Sequence, residues 1–289
     1  MIEAAQQTDA QSPPAAAVPL ELARRPSRLV EVWRFRQLVA LLVVRELKVR
    51  YKRSVLGLLW TMLNPLLLMV VYAVVFTTIL PAALPNFSVF LLAGLLPWLY
   101  FSTALMQGLM SVLVNQELVR KIRLPQAVFP LSVVGSNLVN FVLSFVPLLV
   151  IMVALRQRFT PALLFLPVSA LVLTLFCAGV TLLFATATVF FRDVRHLTEV
   201  LLQMLLYLSP VLYDLQMLGE RGEWWFRAFR LFLRLNPISY LLPLIRDPVY
   251  YGRLPSLTTV GIAALESAAM AALAFTVFHR LAPRHIHYL

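Results

Sequence analysis

Apolar residues run in long blocks along this chain, and ionisable residues gather in the short gaps between them. A helix needs about 20 apolar residues to cross a ~30 Å hydrocarbon core. Blocks of that order run over residues 55–80, 87–114, 129–155, 161–191, 197–218 and 256–278. The pattern predicts an all-α membrane protein with six transmembrane helices. The first block contains Asn64-Pro65 and the fifth Ser209-Pro210. Proline removes a backbone hydrogen bond from a helix, so a kink or break is expected at each.

The stretch Arg45 to Pro65, RELKVRYKRSVLGLLWTMLNP, organises the rest. Arg45, Lys48, Arg50, Lys52 and Arg53 crowd its start against one acid, Glu46, and no Asp, Glu, Lys or Arg follows until Glu117. Lys and Arg are retained on the cytoplasmic side during insertion, so this collar is expected inside the cell. With an even number of spans, both termini are then cytoplasmic. Arg156 and Arg158 fall in an outer loop against this bias, which is statistical. Residues 1–28, rich in Ala, Pro, Gln and Ser, read as a disordered cytoplasmic tail. Residues 29–289 read as one membrane domain. Leu29 to Val44 mixes aromatic, aliphatic and basic residues and is too short to span, which predicts an N-terminal amphipathic helix lying in the cytoplasmic interface.

Asn115 to Pro125, NQELVRKIRLP, alternates apolar residues with Arg120, Lys121 and Arg123, and predicts a short cytoplasmic amphipathic helix stopped at Pro125. A docking helix and a plain basic loop both fit it. Between the fifth and sixth blocks, Glu220 to Pro255 is aromatic and broken by Pro237 and Pro243. Its apolar part is too short to cross, which predicts outer re-entrant or interfacial helices. His279 to Leu289 reads as a basic inner tail.

Composition narrows the chemistry. The 289 residues are 61% hydrophobic and only 13% charged, against about 25% charged in soluble domains. The formal charge of +12 lies mostly beside the apolar blocks, where topology and anionic headgroups account for it, so no nucleic-acid partner is expected. A single cysteine, Cys177, excludes an intrachain disulfide. No GxxxxGK[ST], HExxH, CxxC or GxSxG occurs, so the chain has no P-loop and no recognisable hydrolytic motif. His285 and His287 are the nearest approach to a metal site and read as part of a polar tail. Glu266, near the middle of the sixth block, is a costly mid-membrane carboxyl and a functional candidate.

In these residues the chain resembles permease subunits of type-2 ABC exporters of polysaccharide, the group that includes O-antigen and teichoic-acid exporters. The likeness rests on RELKVRYKRSVLGLLWTMLNP, NQELVRKIRLPQAVFPLS, FFRDVRHLTEV, LYLSPVLYDL and LRLNPISYLLPLIRDPVYYG, in that order. It implies a homodimer paired with two copies of a separate ATPase, which binds the ATP and Mg; this chain needs no cofactor and is no enzyme. It also implies a bacterial inner (plasma) membrane location and an undecaprenyl-diphosphate-linked polysaccharide cargo, O-antigen in preference to capsule. Glu117, Arg120, Lys121, Arg123 and Pro125 then match a coupling helix for the ATPase, and Leu29 to Arg53 a gate-forming helix. Glu220 to Pro255 matches the outer helices that close the exit. Teichoic acid, galactan, capsule or a small molecule stay open as cargo, and a membrane-embedded glycan-processing enzyme is the rival of another class.

The residue chemistry runs alongside this likeness. Sugar rings stack on aromatic planes, and Tyr72, Trp98, Tyr100, Phe101, Tyr207 and Tyr213 would supply a ladder of weak contacts. Interfacial anchoring explains such aromatics equally well. The cations Arg45, Lys48, Arg50, Lys52 and Arg53 would attract the lipid pyrophosphate, or serve topology alone.

Overall fold

The computed structural model describes residues 35–52, 54–57, 59–75, 84–121, 124–214, 224–285 and 288. Every regular element among them is helical. The first is α1 (Arg36–Tyr51), which runs through the basic collar. Then come α2 (Leu59–Val74), α3 (Phe87–Gly108), and the short α4 (Ser111–Val114) and α5 (Gln116–Lys121). The third apolar block forms α6 (Val128–Leu143) and α7 (Phe145–Ala154), and the fourth a 3-10 turn (Pro161–Phe165) leading into α8 (Leu166–Phe190). After α9 (Val194–Leu208) follow α10 (Trp224–Leu235), α11 (Ile238–Leu241), α12 (Pro243–Arg246) and a π turn (Asp247–Tyr251). The chain ends on α13 (Leu257–His285).

Four helices among the described residues are long and apolar enough to cross a membrane: Phe87–Gly108, Val128–Ala154, Pro161–Phe190 and Leu257–His285. These match the second, third, fourth and sixth blocks. The other two blocks are helical over shorter lengths among the described residues, the fifth with the break expected at Ser209-Pro210. α2 spans 16 residues, with Pro65 inside it, and the remainder of its block, residues 76–80, lies outside the described residues. The fifth block is helical only to Leu208, because Ser209 is extended and Pro210 cannot donate to the ladder. Its 15 residues reach about 22 Å, short of a full crossing at 1.5 Å per residue. Residues 215–218 of that block lie outside the described set, as do the tail 1–28, residues 29–34 of the N-terminal helix, Arg53 and Arg123.

α3 is the hub. Phe90, Leu91, Leu92 and Leu95 are fully enclosed, and α3 packs against α2, α6, α8, α12 and the π turn. α8 packs along α13, where Gly179 brings the backbones together: a Cβ there would lie 2.9 Å from the Ala271 nitrogen. α1 lies against α6 through Leu42, Val128 and Phe129.

The C-terminal expectation is corrected. His279 does not begin a polar tail, since α13 continues to His285 and that histidine is fully buried. Its Nδ1 lies 2.6 Å from Gln126 Oε1, and its ring is flanked by Phe190 and Phe278, each centroid 5.5 Å away. Tertiary contact with the Gln126 turn therefore holds residues that composition alone reads as solvated.

Candidate functional site

Amide-bearing residues inside the apolar blocks converge on a cleft of about 340 Å³ between α1, α2, α3 and α6. Helical spacing explains the convergence: Asn137, Asn140 and Ser144 fall on one face across the α6–α7 joint, and Tyr100, Thr103 and Gln107 on one face of α3. The Arg50 guanidinium donates to Gln107 Oε1 and to Asn137 Oδ1 (3.2 Å), and Asn137 Nδ2 donates to Gln107 Oε1 (3.0 Å). Tyr51 donates to Asn140 Oδ1 (3.0 Å), and Ser144 to the Thr61 carbonyl (3.1 Å). Aromatic walls close the cleft: Trp60, Tyr100 and Phe141, the last two stacked at 5.0 Å. Polar groups at this depth need water, a ligand or one another. The arrangement can bind a hydroxylated group edge-on to amides and face-on to rings.

The predicted cations separate into two roles. Arg50 turns into the cleft, whereas Lys48 and Lys52 are exposed beside Arg45 along an open depression on α1. Arg45 donates to Asn115 Oδ1 and to Glu46, both at 3.1 Å, tethering the collar to the segment before α5. On α5, Val119 is buried against Leu42, Val128 and Phe129, while Glu117, Arg120 and Lys121 face outward. Glu117 and Lys121 stand 3.9 Å apart, one turn from each other. Pro125 lies half-buried just beyond.

The six aromatics are dispersed. Trp98 and Phe101 are buried in the core of α3, with Phe101 also against Phe176 at 5.7 Å. Tyr100 lines the cleft and donates to Thr174 Oγ1 (3.1 Å). Tyr72 and Tyr207 adjoin through their hydroxyls, with Tyr207 largely exposed, and Tyr213 donates to the Leu208 carbonyl (2.9 Å).

The far end of the bundle holds a junction that motif reading passed over. Arg246 is buried, donating to the carbonyls of Pro210 and Val211, both at 2.7 Å, where α9 has stopped. Its guanidinium lies 4.0 Å from the Phe90 ring centroid and abuts Gly94, where a Cβ would collide with it. Asn236 Nδ2 donates to Ser209 Oγ (2.8 Å), Tyr251 donates to Asp214, and Tyr250 donates to the Pro85 carbonyl (2.7 Å). Desolvation raises the Asp247 carboxyl above the usual carboxylate range, opposed by Arg253 at 3.5 Å. Among the missed residues, Gln107, Asn137 and Asn140 carried a signal, since amides in apolar blocks are rarely idle. Arg246 carried none beyond its charge.

The sequence model of the ABC-2 type transporter family matches residues 37–250. The chain is 38% identical over 252 residues to an O-antigen export system permease protein of Myxococcus xanthus, covering 87% of this chain and 95% of that one. An O-antigen export system permease protein of Klebsiella pneumoniae is 29% identical over 255 residues, with the same shares covered. A polysialic acid transport protein of Escherichia coli is 25% identical over 218 residues, 74% of this chain and 81% of that protein.

Proposed function

The chain belongs to the ABC-2 type transporter family, and from that premise we propose that it is the membrane-spanning permease of an ATP-driven polysaccharide exporter, with O-antigen as cargo. The likeness to the Myxococcus xanthus O-antigen export permease, over most of both chains, carries this reading. The lower identity to the polysialic acid transport protein sets capsule export second. Two copies of this chain pair with two copies of an ATPase subunit in the bacterial inner membrane, with six crossings per copy and both termini cytoplasmic. The chain has no P-loop, so hydrolysis belongs to the partner, which holds ATP and Mg.

The exposed cations of α5, together with Arg123 and Pro125, present a coupling surface to that ATPase. Arg45, Lys48 and Lys52, with Arg53 next in sequence, draw the diphosphate of an undecaprenyl-linked glycan to the cytoplasmic face. Arg50 instead holds the amides of Gln107 and Asn137 in place, and the cleft they line takes the neighbouring sugar. Tyr72, Tyr100, Tyr207 and Tyr213 offer ring surface along the path, while Trp98 and Phe101 support the helix that carries it.

Co-expression with the neighbouring ATPase gene, purification and reconstitution in lipid tests this. The expected result is a complex with two copies of each chain, whose ATP hydrolysis needs both and is altered by a lipid-linked glycan. A chain that purifies alone and leaves ATPase activity unchanged on mixing would overturn it.

A further inference from the structure

α10 carries Arg227, Arg230 and Arg234 at intervals of three and four residues, which places them within about 60° on one side of the helix. The buried residues Phe226 and Leu233 flank this side, about 40–60° round the helix from Arg230. Arg227 and Arg234 are exposed, and Arg230 lies over the Phe226 ring at 4.8 Å. No ion pair among the described residues involves Arg227 or Arg234.

The depth of this stripe makes it unusual. The turn that ends α10 is anchored by Asn236 on Ser209, and Ser209 caps a helix that rises about 22 Å from Val194. From the other end, Ile238 and Leu241 share a small cavity with Trp98 and Phe101. Those two lie about 16 and 21 Å along α3 from Phe87. In a ~30 Å core, both measures put the turn well inside the membrane. Arg234, two residues before Asn236, is held there by its carbonyl, which accepts from Tyr240 (3.1 Å).

A guanidinium at that depth is costly against lipid tails and is kept where it meets water or an anion. The cytoplasmic bias of Lys and Arg does not account for it either, because in the proposed topology the chain enters α10 from the outer side. Guanidinium groups also match phosphate oxygens in paired, fork-like hydrogen bonds.

We propose that Arg227, Arg230 and Arg234 line a water-filled outer stretch of the export route and engage the diphosphate of the lipid-linked cargo as it leaves. This rests on the exporter reading above for its ligand, though not for its wet surface. The cations of α1 would meet the same diphosphate at the start of the route, so the anion has a guanidinium partner at both ends.

The test places single cysteines at Arg227→Cys, Arg230→Cys and Arg234→Cys in a Cys177→Ser background, within the full complex in proteoliposomes. Leu265→Cys, exposed on α13, is the lipid-facing control. A membrane-impermeant charged thiosulfonate should modify the three stripe positions and spare the control. Undecaprenyl diphosphate at about tenfold its dissociation constant should slow modification about tenfold, as occupancy requires. Undecaprenol should have no effect. Absence of modification at Arg234→Cys would overturn the wet surface, and equal slowing by phosphatidylglycerol would overturn the assignment of the ligand. Labelling is read without ATP, so a failed export assay with labelling intact would count against the exporter reading alone.

Discussion

Replacing Arg246 with methionine keeps an unbranched stem as far as the Nε position and removes the charged fork, so it isolates what the guanidinium contributes to this junction. Two hydrogen bonds of 2.7 Å, to Pro210 and Val211, and the contact with Phe90 at 4.0 Å are lost together. Hydrogen bonds to charged groups contribute about 1.5–3 kcal/mol each, and a desolvated cation–π contact about 2 kcal/mol. Their sum overstates the effect, because burying the guanidinium already costs several kcal/mol of hydration. The expected net loss is about 3–5 kcal/mol, because two buried carbonyls are left without donors at about 1–3 kcal/mol each and the ring contact goes with them. It should fall on local opening of the junction, not on the α8–α13 packing. Amide hydrogen exchange in nanodiscs reads this directly. A loss of about 3 kcal/mol raises exchange roughly a hundredfold for peptides covering residues 205–214 and 236–251. Gly94→Ala should give the same signature from the opposite side, since its Cβ would sit 2.5 Å from the Val211 carbonyl, a backbone atom that cannot swing away. Arg246→Lys should fall between, because one ammonium cannot make both bonds and stack. Exchange within about threefold of the parent in Arg246→Met would refute the account, for that corresponds to well under 1 kcal/mol.

Charge reversal at Arg120 and Lys121 should lower ATP-driven export while insertion and yield stay normal, because both project away from the Val119 contact; unchanged export in a stable double variant would remove the coupling assignment. His285→Ala should destabilise the chain by about 2–4 kcal/mol through a cavity and a stranded Gln126. Limited proteolysis near the C-terminus would show it, and an unchanged cleavage rate would count against the buried clamp. Glu266→Gln should be tolerated, since Glu266 Oε2 is buried without a hydrogen bond and a neutral amide suits that position. Complete loss of export from a normally folded variant would instead make the carboxyl functional.

Where a span is a continuous apolar run, its helix was legible: Phe87, Pro161 and Leu257 begin elements within a residue of where the pattern changes. The misreadings share one cause, which is that tertiary partners lie far away in sequence. The break at Ser209-Pro210 is readable, but residues 210–218 stay mostly apolar, so the block reads on as a span to Leu218. What satisfies the chain beyond the helix end is Arg246, which donates to the Pro210 and Val211 carbonyls, where no helical donor follows. The tail after Phe278 reads as polar because its histidines and arginines are polar, and Gln126, the partner of His285, lies 159 residues earlier.

The collar carries the same lesson about charge. Arg50 stands two residues from both Lys48 and Lys52, and on a helix two residues are about 200° apart. Adjacency in sequence groups the three as one cationic patch, whereas helical geometry turns Arg50 away from the other two. Arg50 therefore faces Gln107 and Asn137 with its donors committed, and Lys48 and Lys52 keep theirs open to the surface. A polyanion drawn to this region meets the lysines and Arg45 first, and the cleft behind them presents amides and rings. That order suits a cargo whose anionic diphosphate and neutral sugars are joined, with one end held at the rim while the other enters the cleft.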